Sequence, residues 1–197
     1  MRTKTFDKPH SHNSEWYKDR ELADHINQPH HIGRLHNAYS LLEEIMGQEE
    51  IKTIADFGCG NGGLMRKIKE NFPSVEIWGY DLAPSNVSDA QSKGSDVTLK
   101  DFVIESDLKY SEVVICTEVL EHLVDPDTFL KKLLDNGVKY VIASSPNYET
   151  PTSHEEYHLW VFQDNSYADM FEEVGWEVVN HEKQIFQFIV AKSKSAE

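Results

Sequence analysis

The chain has 197 residues and a formal net charge of −15; 39% of its residues are apolar, 27% are charged and ten are histidines. That length fits one domain of ordinary size and excludes a second full catalytic domain, so one core has to hold cofactor and substrate together. A surface this acidic repels phosphate backbones, whose capture needs Lys and Arg, and argues against nucleic acid as a partner.

Taken from the N-terminus, residues 1–20 are polar and irregular, unlike the greasy core of a signal peptide. Leu22, Ile26, Leu35, Leu41, Leu42 and Ile45 carry helical spacing over residues 21–46, which Pro29 and Gly33 are expected to split into two helices. From residue 51 the pattern changes. Residues 51–57, 75–80, 97–103, 113–116 and 140–143 are short runs rich in β-branched and aromatic residues and read as strands. Helical stretches fall between them at 63–71, weakly at 86–91, and at 128–134, the last opened by Asp125-Pro126 and closed by Asn136-Gly137. Only a turn fits between Val103 and Val113. After a helix at 166–174, residues 176–179 and 185–191 read as two strands whose link, around His181–Gln184, is too short for a parallel return and so demands an antiparallel pair.

The expected fold is α/β: one doubly wound, mostly parallel seven-stranded sheet with an antiparallel C-terminal strand and helices on both faces. Residues 1–46 form a helical lid or cap, and residues 47–197 the cofactor-binding body. No run approaches the roughly eighteen apolar residues of a membrane span, so the expected location is cytoplasmic with no membrane partner. The cysteines, Cys59 and Cys116, are too few for a disulfide framework and lack C-x-x-C spacing. Both end apolar runs and read as small buried residues.

The most informative stretch is Asp56-Phe57-Gly58-Cys59-Gly60-Asn61-Gly62-Gly63, which ends the first strand of the sheet and opens a helix. Glycines let a backbone turn tightly and bring its N–H groups against a ligand. Gly58, Gly60 and Gly63 also fit G-x-G-x-x-G, so a dinucleotide site is a rival. Asp56 decides against it, since a carboxylate there repels a pyrophosphate and suits a ligand with positive charge. Asp81 ends the second strand, roughly twenty residues on, where an acid can accept both hydroxyls of a ribose. With Glu118 after the fourth strand, three acids fall at carboxyl ends of strands, where such sheets bind ligands.

These residues resemble the class I S-adenosylmethionine-dependent methyltransferases. The glycine turn is similar to that family's first motif and Asp81 to its second. Thr117-Glu118-Val119-Leu120-Glu121-His122-Leu123-Val124-Asp125-Pro126 resembles its E-V-L-E-H-L-x-D-P run, and Ser145-Pro146-Asn147 and His158-Leu159-Trp160-x-Phe162 extend the likeness over residues 35–192. The resemblance implies S-adenosyl-L-methionine as cofactor. Gly58, Gly60 and Gly62 would pass under its methionine part, with Cys59 in the same turn and Asp56 near the amino group. Asp81 would take the ribose hydroxyls and Leu82 would lie against the adenine; Asp101 and Phe102 would hold the adenine amino group and ring, and Glu118 would line the cofactor side.

A sulfonium methyl is already activated, so the expected reaction is in-line transfer to oxygen or nitrogen of a small-molecule acceptor, driven largely by alignment and dehydration. Where the acceptor must lose a proton, His122, His154 and His158 are the candidate bases. A helix starting near residue 118 would put Glu118, Glu121 and His122 on one face, with His158 as a fourth ligand for a divalent ion. That set resembles the metal-dependent RNA 3′-end 2′-O-methyltransferases, although the same run occurs in relatives without metal and the charge suits RNA poorly. A third reading is a non-catalytic subunit that only binds the nucleoside. Trp16 and Tyr17 are candidates for a lid over the cofactor. His30, His31 and His36 lack convincing metal-ligand spacing.

Overall fold

The computed structural model describes residues 1–5 and 28–194. In chain order the elements are β1 (Arg2–Lys4), α1 (Pro29–Gln48), β2 (Thr53–Phe57), α2 (Gly63–Asn71), β3 (Glu76–Asp81), α3 (Pro84–Ser92), β4 (Val97–Leu99) and β5 (Val113–Thr117). A 3₁₀ turn at Leu120–His122 follows, then α4 (Pro126–Asp135), β6 (Tyr140–Pro146), β7 (Trp160–Phe162), α5 (Ser166–Glu173), β8 (Trp176–Lys183) and β9 (Phe186–Ser193).

Seven strands form one sheet in the order β4-β3-β2-β5-β6-β9-β8. β9 runs antiparallel to both neighbours, and the pairings from β4 to β6 are parallel. The chain leaves β2 toward β3 and β4, then returns to β5 on the other side. The strand order therefore reverses between β2 and β5, where sheets of this kind open a crevice at their carboxyl edge.

Strict alternation along the strands sends residues to two cores. Ile54, Val113, Ile115 and Ile142 meet Leu42 and Ile45 of α1 and Leu64 and Ile68 of α2 on one face. Ala55, Val114, Cys116 and Val141 meet Phe129 and Leu133 of α4 and Met170 and Phe171 of α5 on the other. α4 starts where Asp125 accepts the Thr128 N–H at 3.0 Å and its hydroxyl at 2.7 Å, a side-chain cap on the first turn. Both cysteines are buried and free. No helix among the described residues is long and apolar enough to cross a membrane.

Several boundaries differ from those expected. Among the described residues the first helix is not broken at Gly33: it begins with Pro29 at its first position, where the missing N–H is no loss, and continues through Gly33 to Gln48. Burial of Ala38, Tyr39, Leu41, Leu42 and Ile45 outweighs the cost of about 1 kcal/mol for one helical glycine. The third strand of the sheet, β4, stops at Leu99 and leaves Asp101–Ile104 in a turn. The terminal strands are longer than expected, and their connection is only Gln184-Ile185.

Arg2–Lys4, within the stretch expected to be irregular, is a strand, paired antiparallel with Trp160–Phe162 in a separate two-stranded sheet. Arg2 Nη1 donates to both oxygens of Asp127 at 2.8 and 2.7 Å, and the Thr5 hydroxyl donates to the His158 carbonyl at 2.6 Å. Trp16 and Tyr17 lie outside the described residues.

Candidate active site

The sheet fold puts three acids at one edge. Asp56 is the penultimate residue of β2, Asp81 the last of β3, and Glu118 follows β5. Asp56 is only 3% exposed. Burial, then the Asp81 carboxylate, pushes its carboxyl up to about 7, against the opposing pull of Arg34. Asp81 is also raised by burial, although it accepts from Gly60 N–H at 2.8 Å, Ala83 N–H at 2.8 Å and Asn86 Nδ2 at 3.2 Å.

The glycine turn is tied to β3 by two further bonds, Gly58 N–H and Cys59 N–H both donating to Tyr80 O, at 2.8 and 3.1 Å. That clamp requires Gly58 at φ +80° and Gly60 at φ +54°, left-handed values that favour glycine. Gly62, also left-handed, caps α2 and donates its N–H to Cys59 O at 3.0 Å. The Cys59 side chain turns inward over Gly79, where an added Cβ would lie 2.7 Å from its sulfur. Burial holds this thiol well above its ordinary value. Leu82 is half-buried beside Asp81.

Asp101 and Phe102 stand in the turn after β4. The Asp101 carboxylate accepts from Val103 N–H at 3.1 Å, while Phe102 is 4% exposed, with its ring centroid 5.2 Å from Phe57 and 5.5 Å from Phe129. Its ring therefore packs in the core with these two aromatics.

The helix expected to start at residue 118 is absent. Glu118 has φ +56°, and a single 3₁₀ turn holds Glu121 and His122, fastened by the bond from Leu159 N–H to Glu121 O at 2.8 Å. One Glu118 oxygen accepts from the Ser144 hydroxyl at 2.8 Å and the other lies 4.0 Å from Arg34. Burial raises the Glu118 pKa, and Arg34 opposes that rise. Glu121 is fully buried, and neither of its carboxyl oxygens has a hydrogen-bond partner among the described residues. Burial, then the Glu118 charge, pushes its pKa well above the usual carboxylate range.

His122 and His158 come together, their ring centroids 4.6 Å apart and nearly perpendicular. His158 is 8% exposed, and its Nδ1 lies 2.9 and 2.8 Å from the two oxygens of buried Glu149. His122 Nδ1 is 3.1 Å from Tyr157 O. His154 instead meets the carbonyl of its neighbour Glu155 and has no place in this cluster. Trp160 anchors the loop by donating its indole N–H to Leu123 O at 2.8 Å.

Two residues at this edge do not emerge from the motifs: Arg34 and Ser144. Arg34 is a polar position in an amphipathic helix, and its buried Nε has no hydrogen-bond partner among the described residues. Its only sequence signal is that it lies on the core-facing stretch leading into Ala38 and Leu42.

A strand-order reversal with a glycine turn and acids on successive strand ends at its carboxyl edge defines the chain as a doubly wound α/β protein, and in such sheets this edge is where ligands bind. Residues 30–181 match the methyltransferase-domain family, and the chain belongs to that family. It is 26% identical over 134 residues to the trans-aconitate 2-methyltransferase of Mycobacterium ulcerans, a match covering 66% of this chain and 48% of that one. It is 30% identical over 132 residues to the ubiquinone biosynthesis O-methyltransferase of Nitrosomonas europaea, covering 59% and 54%. The chain thus spans about half the length of these relatives. The fold is similar to that of the magnesium protoporphyrin IX methyltransferase ChlM from Synechocystis PCC 6803, solved with bound SAM, with a TM-score of 0.66, 14% identity and coverage of 90% of this chain and 88% of that one.

Proposed function

We propose that this chain transfers a methyl group from S-adenosylmethionine to an oxygen or nitrogen of a small acceptor molecule. The observation that carries this reading is the pair of buried carboxyls, Asp56 and Asp81, on adjacent strand tips beside a glycine turn. Two such acids side by side favour a ligand that brings a cation to one and hydroxyls to the other. At Gly60 an added Cβ meets no heavy atom within 4 Å, so the turn borders open space that a ligand can fill.

When bound, the cofactor supplies a methyl group already activated by a sulfonium charge. Asp56 takes its ammonium and Arg34, with its orphaned Nε, takes its carboxylate. Asp81 accepts the ribose hydroxyls, Leu82 covers the adenine, and Asp101 accepts from the adenine amino group with Phe102 behind it as a wall. Gly58, Cys59, Gly60 and Gly62 shape the floor, and Glu118 closes the side toward the acceptor. His122 and His158 stand on that acceptor side, where imidazoles can accept a proton near neutral pH. The chain's main contribution is to align the acceptor and strip its water. In the N-terminal segment proposed as a cover, α1 contributes by bringing Arg34 to Glu118; residues 6–27 lie outside the described residues.

The RNA reading is not favoured. The relatives named above carry the names of small molecules, and the basic cluster Arg66, Lys67 and Lys69 is engaged internally. Arg66 donates to Asn61 O and Ser95, Lys69 to Val75 O, and Lys67 lies over the Tyr39 ring. A non-catalytic role is equally disfavoured, because the glycine turn and both acids are intact. A cytosolic location fits the two reduced, buried cysteines.

The test is transfer of a labelled methyl group from S-adenosylmethionine into a metabolite extract. Label is expected in a small-molecule fraction and absent from added RNA; no transfer to any small molecule would overturn the reading.

A further inference from the structure

We propose that Arg2 and Thr5 are positioning residues for the acceptor side of the site: β1, which begins at Arg2 and leads into Thr5, clasps the segment that carries His158. The proposal rests on the acceptor side assigned above, and it concerns how that side is held in place.

A ribbon of two three-residue strands is marginal by itself, so side chains have to hold β1 against β7. Arg2 does so at three points. Its Nη1 donates to both oxygens of Asp127 in the first turn of α4, at 2.8 and 2.7 Å, and its Nη2 lies 3.6 Å from Glu173 at the end of α5. Its guanidinium carbon stands 5.2 Å from the centre of the Trp160 ring, over which Lys4 Nζ also lies, at 5.8 Å. That ring is itself fixed, because its N–H donates to Leu123 O. Arg2 and Asp127 are only 23% and 31% exposed, so their charge-assisted bonds are screened less than those of an open surface pair.

From Lys4 the chain passes directly to the acceptor side. The Thr5 hydroxyl donates to His158 O at 2.6 Å, and the Thr5 N–H donates to Leu159 O at 2.8 Å. The Leu159 N–H in turn donates to Glu121 O at 2.8 Å. The planar peptide unit between His158 and Leu159 is thus held at both ends: Thr5 grips its carbonyl and Glu121 its N–H. A fixed peptide plane sets the direction in which the His158 side chain leaves the backbone. Glu149 then fixes the ring through Nδ1, opposite His122.

The other anchor of β7 lies at its far end, where the buried Gln187 amide donates to Phe162 O at 3.2 Å and to Pro146 O at 3.5 Å. The His158 end therefore depends on β1, Trp160 and Glu121. Transfer between aligned groups is sensitive to such support, since a misplacement of about 1 Å can cost on the order of a hundredfold in rate. Cofactor binding is insulated from it. Asp56, Gly60 and Asp81 stand on β2, β3 and the glycine turn, and those strands pair with neither β1 nor β7. Loosening β1 should lower acceptor turnover and spare the cofactor site.

The experiment compares Arg2→Ala, Thr5→Val and Thr5→Ser with the parent full chain. Three readings are taken: amide hydrogen exchange, S-adenosylhomocysteine titration, and methyl transfer to the acceptor that the labelling assay identifies. Exchange over residues 158–162 should rise about tenfold in Arg2→Ala and about threefold in Thr5→Val, while β2, β3 and β5 keep the parent's rates. Affinity for S-adenosylhomocysteine should stay within about twofold of the parent's, and kcat/KM for the acceptor should fall about tenfold and threefold in the same two variants. Thr5→Ser keeps the hydroxyl and should restore what Thr5→Val loses, a rescue that general loosening would not give. Lys131→Ala, which removes an exposed ion pair on α4, should match the parent in all three readings. The proposal is overturned if exchange over 158–162 does not change, if it rises throughout the sheet, or if it rises while acceptor turnover stays at the parent's level. It is equally overturned if Thr5→Ser behaves as Thr5→Val, or if S-adenosylhomocysteine affinity falls in step with acceptor turnover. A parent chain that binds no S-adenosylhomocysteine, or transfers no methyl group, would sink the methyltransferase reading, and the exchange arm would then decide the clasp by itself.

Discussion

Asp56→Asn is expected to weaken S-adenosylhomocysteine binding at pH 8 by tenfold or more and, at the same pH, to raise the melting temperature of the ligand-free protein. The two effects share one cause. Burial and the Asp81 charge push the Asp56 carboxyl up to about 7, against an ordinary value of 3.8. Between those values the folded chain keeps a proton that the unfolded chain has lost, so stability falls as pH rises through that window. At pH 8 the native state bears the whole cost, on the order of 4 kcal/mol for a shift of this size. Asparagine removes the charge and the cost together. It also removes the anion that an ammonium group would meet, so binding by the parent should strengthen from pH 6 to pH 8 while the variant stays flat over that range. Calorimetry and thermal melts at the two pH values read both arms. Parallel binding profiles for parent and variant would show that Asp56 does not face the ligand's cation.

Alanine at two of the left-handed positions of the turn, Gly58 and Gly60, should separate folding from binding. At Gly58 the new Cβ would stand 2.6 Å from Val119 Cγ2, at φ +80°. Left-handed strain of about 1–2 kcal/mol adds to overpacking of about 1–3 kcal/mol, so a loss of roughly 2–5 kcal/mol of stability is expected. Gly60→Ala, at φ +54° with no heavy atom near its Cβ, should cost about 1 kcal/mol of stability. Its methyl group enters the space assigned to the methionine part of the cofactor, and S-adenosylhomocysteine affinity should fall at least tenfold. Denaturant melts and titration of both variants check the pair. A Gly60→Ala protein that binds as well as the parent would move the ligand away from this turn.

The parallel strands and the switch point are legible because β-branched runs such as Ile51–Phe57 and Val113–Cys116 end in acids or glycines, and because such runs alternate with helices. The acids sit where the strand ends were expected. The expected set Glu118, Glu121 and His122 assumed helical spacing after β5. Tertiary bonds to Leu159 and Ser144 impose instead a left-handed residue and one 3₁₀ turn, which no local periodicity encodes.

 The bond from Leu159 N–H to Glu121 O and the one from Glu118 N–H to Ser144 O, at 3.0 Å, are those constraints. β1 is invisible for a related reason: Arg-Thr-Lys carries no apolar alternation, and its strand exists only because Trp160–Phe162 offers a partner. Arg34 approaches Glu118, 84 positions away in sequence, so no motif reports it.

The most direct measurement is a calorimetric titration of the unmodified chain with S-adenosylhomocysteine and, separately, with NADH. One-site binding of the sulfur nucleoside with no heat from millimolar NADH is expected, because Asp56 and Asp81 repel a pyrophosphate and welcome an ammonium and two hydroxyls. Saturable NADH binding with no response to S-adenosylhomocysteine would contradict the assignment of this crevice.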